Sequence, residues 1–461
     1  MTATKKNASK LMACVIFFVA LNLRPAIIAV GPLLSQIGAS LGWGESLLGL
    51  LGSLPLLAFA ALSFLVQFIT KRFDTNKVLL AALVLLAAGC LARSAFDATW
   101  VWIGTVVVGG SIAVGNVLAP AIVKRDFPER ISMATGAYSA FVTTGSALAG
   151  LTAAALSDAL GGWRIALAFW AIPALIAAAL WYLKVRSEAK RASRQASNAT
   201  AANEQTSKSK PSTTQIEDGN VCHSTTCRIN RTETEHNAAG AEPSQKGLKP
   251  TASNEPALKT DKATAANGHA AAPLWKRPTT WLVTLFMGLQ SAAFYTFSNW
   301  LPTFAVAAGC TQGEAGVQLF IFQILGTVSG LTIPHFMYVR NNQITAGLLA
   351  SAPLLIAAAG WLAAPQASLL WSIFGGMGQG ASLVVALTLI SLRGTSHEET
   401  VALSGIAQSF GYLLAACGPS VFGALAEATC GYTVPLAFMV ALAAAQCLLC
   451  FFAGKSPANT N

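Results

Sequence analysis

The sequence predicts an all-α integral membrane protein with twelve transmembrane helices, arranged as two bundles of six. Of the 461 residues, 54% are hydrophobic and only 11% are charged, whereas about a quarter of the residues are charged in a soluble globular domain. The apolar residues form runs of about twenty or more, the length with which an α-helix crosses a hydrocarbon core about 30 Å thick. The runs fall into two groups of six, separated by a long polar segment.

The apolar runs are continuous and do not alternate in strands of about ten residues, so the pattern favours helices over a barrel. The first run follows three lysines, as a secretory signal peptide would, but its length and the presence of Arg24 argue against a cleaved signal. The twelve helices are predicted at residues 11–38, 45–70, 78–95, 99–122, 131–157, 164–184, 277–305, 314–339, 343–363, 367–391, 400–426 and 431–453.

Lysine and arginine are distributed unevenly between the loops. If the first helix starts in the cytoplasm, twelve lysines and arginines fall in the short inner segments, whereas only Arg93 and Arg164 are assigned to the outer loops. The positive-inside rule therefore predicts that both termini are cytoplasmic. The net charge of +11 reflects this topology and the polar segment, so we expect a lipid bilayer and a small-molecule substrate as partners, but no nucleic acid.

The polar segment divides the chain into three predicted domains. These are an N-terminal six-helix bundle (1–184), a disordered cytoplasmic linker (185–276) and a C-terminal six-helix bundle (277–461). The linker is rich in Ser, Thr, Ala, Asn and Lys and cannot bury enough apolar surface to fold. Its cysteines and histidines match no structural zinc spacing, so neither a metal nor a cofactor is predicted.

An internal repeat relates the two halves. Residues 156–170 align without a gap with residues 425–439, an offset of 425 minus 156, or 269, and the same offset takes Gly44 onto Gly313. Because each half has an even number of spans, the two copies lie parallel in the membrane, with the substrate path between them.

Five segments of the sequence resemble the signature segments of the cyanate and 2-nitroimidazole transporter family within the major facilitator superfamily. The resemblance implies a rocking secondary transporter of the bacterial inner membrane that moves a small anion or a small nitrogen heterocycle, and we expect a monomer. The linker is longer than the short connection usual in that family. The five segments are LNLRPAIIAVGPLL (21–34), GNVLAPAIVKRDFP (115–128), GGWRIALAFWA (161–171), MGLQSAAFYTFSNWLPT (287–303) and LSGIAQSFGYLLAACGPSVFG (403–423).

Arg24 stands in the middle of the first apolar run. An arginine at the bilayer centre costs about 2.5–3.5 kcal/mol on insertion scales and about 10–17 kcal/mol in simulations of a lone helix, so it requires compensation. One interpretation is a structural arginine held by backbone carbonyls freed at Pro25 and by neighbouring polar groups. The other is an anion-binding cation that lines a central cavity.

Two features favour the anion-binding interpretation. No predicted span carries an aspartate or glutamate near mid-depth, so Arg24 has no evident permanent partner. On an unbroken helix, moreover, Ile28, Gly31 and Ser35 would share one face with Arg24 and leave its guanidinium accessible. A guanidinium can bind a carboxylate-like or linear anion with two nitrogens or stack on a ring, which lysine cannot do.

Further polar side chains in the central spans are predicted to line the same cavity, because an amide or phenol that faces lipid lacks a hydrogen-bond partner. Asn22 is included although an ideal helix places it away from Arg24. The alternative for each is a hydrogen bond between helices, worth about 0.6 kcal/mol on average. The predicted substrate-binding residues are Arg24, Asn22, Asn116, Tyr138, Gln290, Tyr295, Asn299, Gln408 and Tyr412.

The function predicted from these residues is secondary transport of a small solute by alternating access around Arg24. The chain has no phosphate-binding loop of an ATP-driven pump and no nucleophile and base pair of an enzyme. A small anion such as cyanate is the favoured substrate because of Arg24. Export of 2-nitroimidazole-like heterocycles and a membrane sensor that binds without transport are the alternatives, and the coupling ion stays open.

Overall fold

The computed structural model describes residues 14–95, 97–126, 131–208, 274–337, 343–394 and 397–454. Within these ranges every regular element is a helix. Most of the predicted linker, residues 209–273, lies outside the described residues, as do its cysteines and histidines. By contacts, the chain divides into one unit formed by Met1–Ser193 with Ala272–Asn461, and a second unit, Arg194–Ala271.

Among the described residues, nine helices belong to the first half and seven to the second. Those of the first half are α1 (residues 14–22), α2 (Pro25–Ile28), α3 (Leu34–Leu41), α4 (Glu45–Arg72), α5 (Thr75–Ala95), α6 (Ala98–Asp126), α7 (Ile131–Leu160), α8 (Trp163–Phe169) and α9 (Ala171–Lys208). Those of the second half are α10 (Pro278–Ala307), α11 (Gln312–Thr332), α12 (Pro334–Met337), α13 (Ile344–Ala363), α14 (Ser368–Arg393), α15 (His397–Thr429) and α16 (Thr433–Ala453). Short 3₁₀ turns occur at Gly31–Leu33, Leu274–Lys276 and Pro365–Ala367.

The helices account for the predicted spans. Among the described residues, eleven segments are long and apolar enough to cross a membrane, from Cys14–Leu41 to Thr433–Ala453. The remaining predicted span corresponds to α10, which is 30 residues long but carries many polar side chains. Most residues of α10 are buried against other helices, so its surface need not be as apolar as one that faces lipid. The sixth span continues as α9 to Lys208, so residues 185–208, predicted as the start of a disordered linker, are helical.

The two halves meet through two main helix pairs, α4 with α15 and α7 with α11. Small residues allow the close approach. A Cβ on Gly49 of α4 would overlap with the carbonyl oxygen of Pro419 of α15, and one on Gly150 of α7 would lie 2.9 Å from Leu319 Cδ2 of α11. Glycine at such positions lets helix backbones pack closely where lipid provides no hydrophobic drive.

Hydrogen bonds reinforce this contact at the end of the bundle that contains Glu45 and Tyr432, which we call the outer end. Tyr432 Oη donates to Glu45 Oε1 at 2.7 Å, and the Ser46 N–H donates to Glu427 Oε2 at 2.7 Å. The second bond caps the N-terminus of α4, whose own N-cap residue, Gly44, has no side chain. A carboxylate suits this position because the first N–H groups of a helix lack partners and carry partial positive charge.

At the opposite end, which we call the inner end, a buried ion pair joins α6 and α9. Lys184 is buried, and its Nζ lies 2.6 Å from Asp126 Oδ2 and 4.2 Å from the ring centroid of Trp181. A buried lysine requires such compensation because removal of one partner leaves an unpaired charge in a medium of low dielectric constant.

Glycine packing within the second half gives a testable consequence. A Cβ on Gly380 of α14 would overlap with the backbone carbonyl of Gly326 on α11, so Gly380→Ala forces the two helices apart. We expect a loss of about 1–3 kcal/mol of unfolding free energy from overpacking, measured as a lower Tm of the purified protein in detergent. Gly405→Ala is the matched control, because a Cβ there meets no atom within 4 Å. An equal Tm for Gly380→Ala and the wild type would contradict the packing.

Candidate substrate site

The first span is broken rather than continuous. Residues 14–22 are helical, Leu23 and Arg24 are not, and α2 begins at Pro25. Proline lacks the N–H that would bond to the carbonyl four residues earlier, and it disfavours helical geometry in the residue before it. Arg24 accordingly has φ −128° and ψ −25°. Gly145 of α7 packs directly on the carbonyl oxygen of Leu21, which the break leaves without its helical partner.

The break places the Arg24 side chain among aromatic rings. Its Cζ lies 5.3 Å from the ring centroid of Phe294 on α10. The phenol groups of Tyr138, Tyr295 and Tyr412 lie within electrostatic range of its charge. These side chains come from α7, α10 and α15, so elements of both halves lie near the cation.

Arg24 has no counter-ion among the described residues. Its Nε is buried and makes no hydrogen bond, and the four ion pairs between described side chains do not include it. The residue as a whole is only partly buried. An arginine in this situation can accept a ligand that supplies acceptor atoms, because its donors are neither used nor fully hidden.

An aromatic cluster extends from this point. Phe59 of α4 packs edge-on against Tyr412 at 5.4 Å and against Tyr295 at 6.4 Å between ring centroids. Phe294 packs edge-on against Tyr295 at 4.8 Å. Neither Phe59 nor Phe294 was predicted from the sequence. The position of Phe294 directly before Tyr295 is a signal that could have found it, whereas Phe59 has no comparable signal.

The prediction that Ile28, Gly31 and Ser35 share one helix face with Arg24 is wrong. It required an unbroken helix, but the turn after Ile28 and the 3₁₀ segment interrupt the spacing. Gly31 packs instead against the backbone of Ser298 and Asn299. Ser35 accepts a hydrogen bond from Gln312 Nε2 at 3.2 Å at the outer end.

The structure brings only part of the predicted set together with Arg24. The three tyrosines lie within electrostatic range of its charge, and Tyr138 Oη reaches Asn116 Oδ1 at 3.5 Å. Asn22 is buried and donates to the carbonyl oxygen of Phe18 at 2.8 Å.

The remaining three amides contact other groups. Gln290 is buried, and its Nε2 donates to Ser291 Oγ at 2.6 Å, while Gln408 Nε2 donates to Ser404 Oγ at 2.9 Å. Asn299 lies against Gly52 of α4, at the seam between the halves, and its Nδ2 is buried without a partner. Their role in substrate binding stays a prediction.

A cavity of about 160 Å³ lies elsewhere, at the outer end of the second half, and none of the nine predicted residues lines it. It is bounded by aromatic and small side chains, including Phe304, Trp361 and Tyr432. The cavity is therefore separate from the Arg24 cluster.

Comparison with known proteins identifies the family. A model of the Major Facilitator Superfamily matches residues 12–372, more than half of the chain. The chain belongs to the major facilitator superfamily. The resemblance to its cyanate and 2-nitroimidazole transporter family is confirmed as well, because two relatives from Escherichia coli K12 align along nearly the whole chain.

The first relative is the 2-nitroimidazole transporter, 31% identical over 98% of this chain and 96% of its own length. The second is the cyanate transport protein CynX, 22% identical over 93% of each chain. Among solved structures, the D-xylose–proton symporter matches with a TM-score of 0.65 and 14% identity, over 97% of this chain and 99% of that one. The predicted major facilitator fold is thus confirmed, and this superfamily member is a transporter rather than an enzyme.

Because the Arg24 Nε lacks a hydrogen-bond partner, Arg24 should lower the stability of the protein while it serves binding. Arg24→Met removes a charged group whose Nε has no partner, and an unmade hydrogen bond of a buried donor costs about 1–3 kcal/mol. We therefore expect this variant to raise the free energy of unfolding by about 1 kcal/mol, measured as a higher Tm in detergent. Arg186→Met, at an exposed position of α9, should leave the Tm unchanged. A lower Tm for Arg24→Met would indicate that protein groups already satisfy the guanidinium.

Proposed function

We propose that this protein transports a small anion such as cyanate by alternating access, with Arg24 as the main substrate-binding group. The observation that carries the proposal is the Arg24 guanidinium, which has no counter-ion among the described residues and an Nε without a partner. An anion would supply the missing charge and the missing acceptor together. The superfamily relationship supports the transport cycle, and the relative named for cyanate transport supports the substrate class.

The surroundings of Arg24 suit a substrate that is small and flat. The Phe294 ring faces the guanidinium at 5.3 Å, and Tyr295 packs edge-on against that ring at 4.8 Å. Aromatic faces attract the cation and orient it, while the phenol hydroxyls of Tyr138 and Tyr412 can donate to an anion. A linear or planar anion can lie along these rings and still meet the guanidinium with two acceptor atoms.

The second candidate is a nitrogen heterocycle of the 2-nitroimidazole type. Two observations favour it: the aromatic cluster of Phe59, Phe294 and Tyr295, on which a flat ring can stack, and the 31% identical relative named 2-nitroimidazole transporter. The nitro oxygens of such a compound would accept hydrogen bonds from Arg24 without a full negative charge. The two candidates therefore differ in how strongly binding depends on charge at position 24.

We also propose the finer assignments that follow from the sequence: a location in the bacterial inner membrane, cytoplasmic termini, a monomeric state and the three-domain division with its linker. The charge asymmetry of the loops supports the orientation.

Uptake by purified protein in liposomes tests the proposal. Wild-type protein should accumulate radiolabelled cyanate, and Arg24→Ala should lose about 2–5 kcal/mol of binding free energy, which abolishes measurable uptake. Arg24→Lys should keep only weak uptake because it retains the charge but not the planar donor pair. Arg186→Ala, at an exposed site of α9, is the matched control with normal uptake.

The same liposomes separate the alternatives. Uptake of 2-nitroimidazole but not of cyanate by the wild-type protein, with Arg24→Lys keeping nearly the same 2-nitroimidazole uptake, would favour the heterocycle. Binding of either compound without flux would indicate a sensor. Normal cyanate uptake by Arg24→Ala would contradict the anion site.

A further inference from the structure

A second arginine is buried beside the broken span. Arg93 belongs to α5 and is only 1% exposed. The charge distribution assigned it to an outer loop, which is wrong, because Arg93 lies in the last turn of α5 and its side chain is packed inward. The four ion pairs between described side chains do not include Arg93, so its charge is buried without a carboxylate partner in the described part of the chain.

Arg93 contacts the backbone that follows Arg24. Its Nη1 donates to the carbonyl oxygen of Ala26 at 2.8 Å. In a regular helix the N–H of Val30 would use that carbonyl, but it bonds to Ile27 O at 3.2 Å instead. The turn that ends α2 therefore leaves a backbone acceptor free, and Arg93 of α5 satisfies it.

The neighbouring helices make room for Arg93. Gly104 of α6 faces it, and a Cβ there would lie 2.5 Å from Arg93 Cβ. The Nε and Nη2 of Arg93 are both buried and lack partners. A neutral donor could satisfy one carbonyl at a far lower cost, because an ionised group buried without full pairing is among the most costly arrangements in a protein. Backbone satisfaction alone therefore does not account for a full guanidinium at this position.

The position of Ala26 suggests what the arginine does. Ala26 lies in α2, a helix of only four residues whose N-cap residue is Arg24. Such a short helix has little stability of its own, since one turn of helix does not offset the entropy of its nucleation. The bond from Arg93 fixes this turn from outside, and with it the direction in which the chain presents Arg24.

We propose that Arg93 is a positioning residue for the substrate site: it holds α2 through Ala26 and so orients the Arg24 guanidinium. This inference rests on the proposed role of Arg24 in substrate binding. The arginine is set on rigid helix α5, which suits a supporting group, because binding groups keep their geometry only when a second layer of contacts locks them.

The test compares transport by Arg93→Met, Arg93→Gln and Arg93→Lys in liposomes, with radiolabelled cyanate as the probe. Arg93→Met should raise KM about tenfold or more, equivalent to at least about 1.4 kcal/mol, with Vmax per folded protein changed less than threefold. Arg93→Gln, whose side chain is too short to replace the bond, should behave in the same way if Arg93→Met does not fold. Arg93→Lys should return KM to within about threefold of the wild type, because it keeps one charged donor. Ser94→Ala is the control, since its hydroxyl bonds to Cys90 O of the same helix.

The outcomes separate this inference from the proposed function. A wild-type KM for both Arg93→Met and Arg93→Gln, while Arg24→Ala has lost uptake, would overturn the positioning role and leave the substrate site intact. The positioning role would also be overturned if KM is raised in Arg93→Met and Arg93→Gln and is equally high in Arg93→Lys. A purely structural arginine predicts no rescue by lysine. Normal uptake by Arg24→Ala would instead reject the substrate site itself, whatever the Arg93 variants do.

Discussion

The interruption of the first span at Pro25 is the constraint on which the site depends. Proline removes one backbone donor and ends α1, so the chain restarts as a short turn at mid-span. The carbonyl oxygen of Leu21 thereby loses its helical partner, and that of Ala26 is left free where α2 ends, because the Val30 N–H bonds to Ile27 O instead. Gly145 of α7 packs on that of Leu21, and Arg93 of α5 bonds to that of Ala26. Non-helical backbone at membrane depth is tolerated only where protein or a cavity surrounds it, and these contacts supply the surroundings.

The same interruption explains why a charge can stand in the membrane. Arg24 occupies the residue between two helical segments, where its side chain reaches the Phe294 ring of the other half. A cation bound only by aromatic faces remains available to a ligand, because such contacts use none of its N–H donors. Discontinuous helices that present a binding group near the bilayer centre are a recurrent feature of secondary transporters.

The two halves are repeats in sequence, yet they close the outer end in different ways. The N-terminus of α11 is capped within its own half, by Thr311 and Glu314. The N-terminus of α4 is capped by Glu427, which belongs to the opposite half. Opening of the outer end would remove the cap of α4 but not that of α11. The seam is therefore asymmetric, which neither the parallel repeat nor the offset of 269 residues indicates.

The sequence predicted the helical fold, the repeat and the family, because these depend on the length of the apolar runs and on local segments. It also predicted the tyrosines near Arg24, since buried phenols in central spans must turn inward. The predicted helix face around Arg24 was wrong because it assumed a continuous helix, and the helix is interrupted at Pro25. Arg93 was missed because a charged residue near the end of an apolar run is usually assigned to a loop. Its partner, a free backbone carbonyl, has no signature in the sequence. Gln290, which is buried, and Gln408, which is half-buried, show that an amide in a membrane span can bond to a neighbour on its own helix.

The most direct test of the account is arginine-specific labelling of the purified protein with phenylglyoxal, followed by peptide-level mass spectrometry. We expect that Arg24 is labelled, that cyanate protects it in a concentration-dependent way, and that buried Arg93 remains unlabelled. Failure of Arg24 to react in the absence of cyanate, while exposed arginines such as Arg186 are modified, would contradict the central claim of an unpaired and accessible cation.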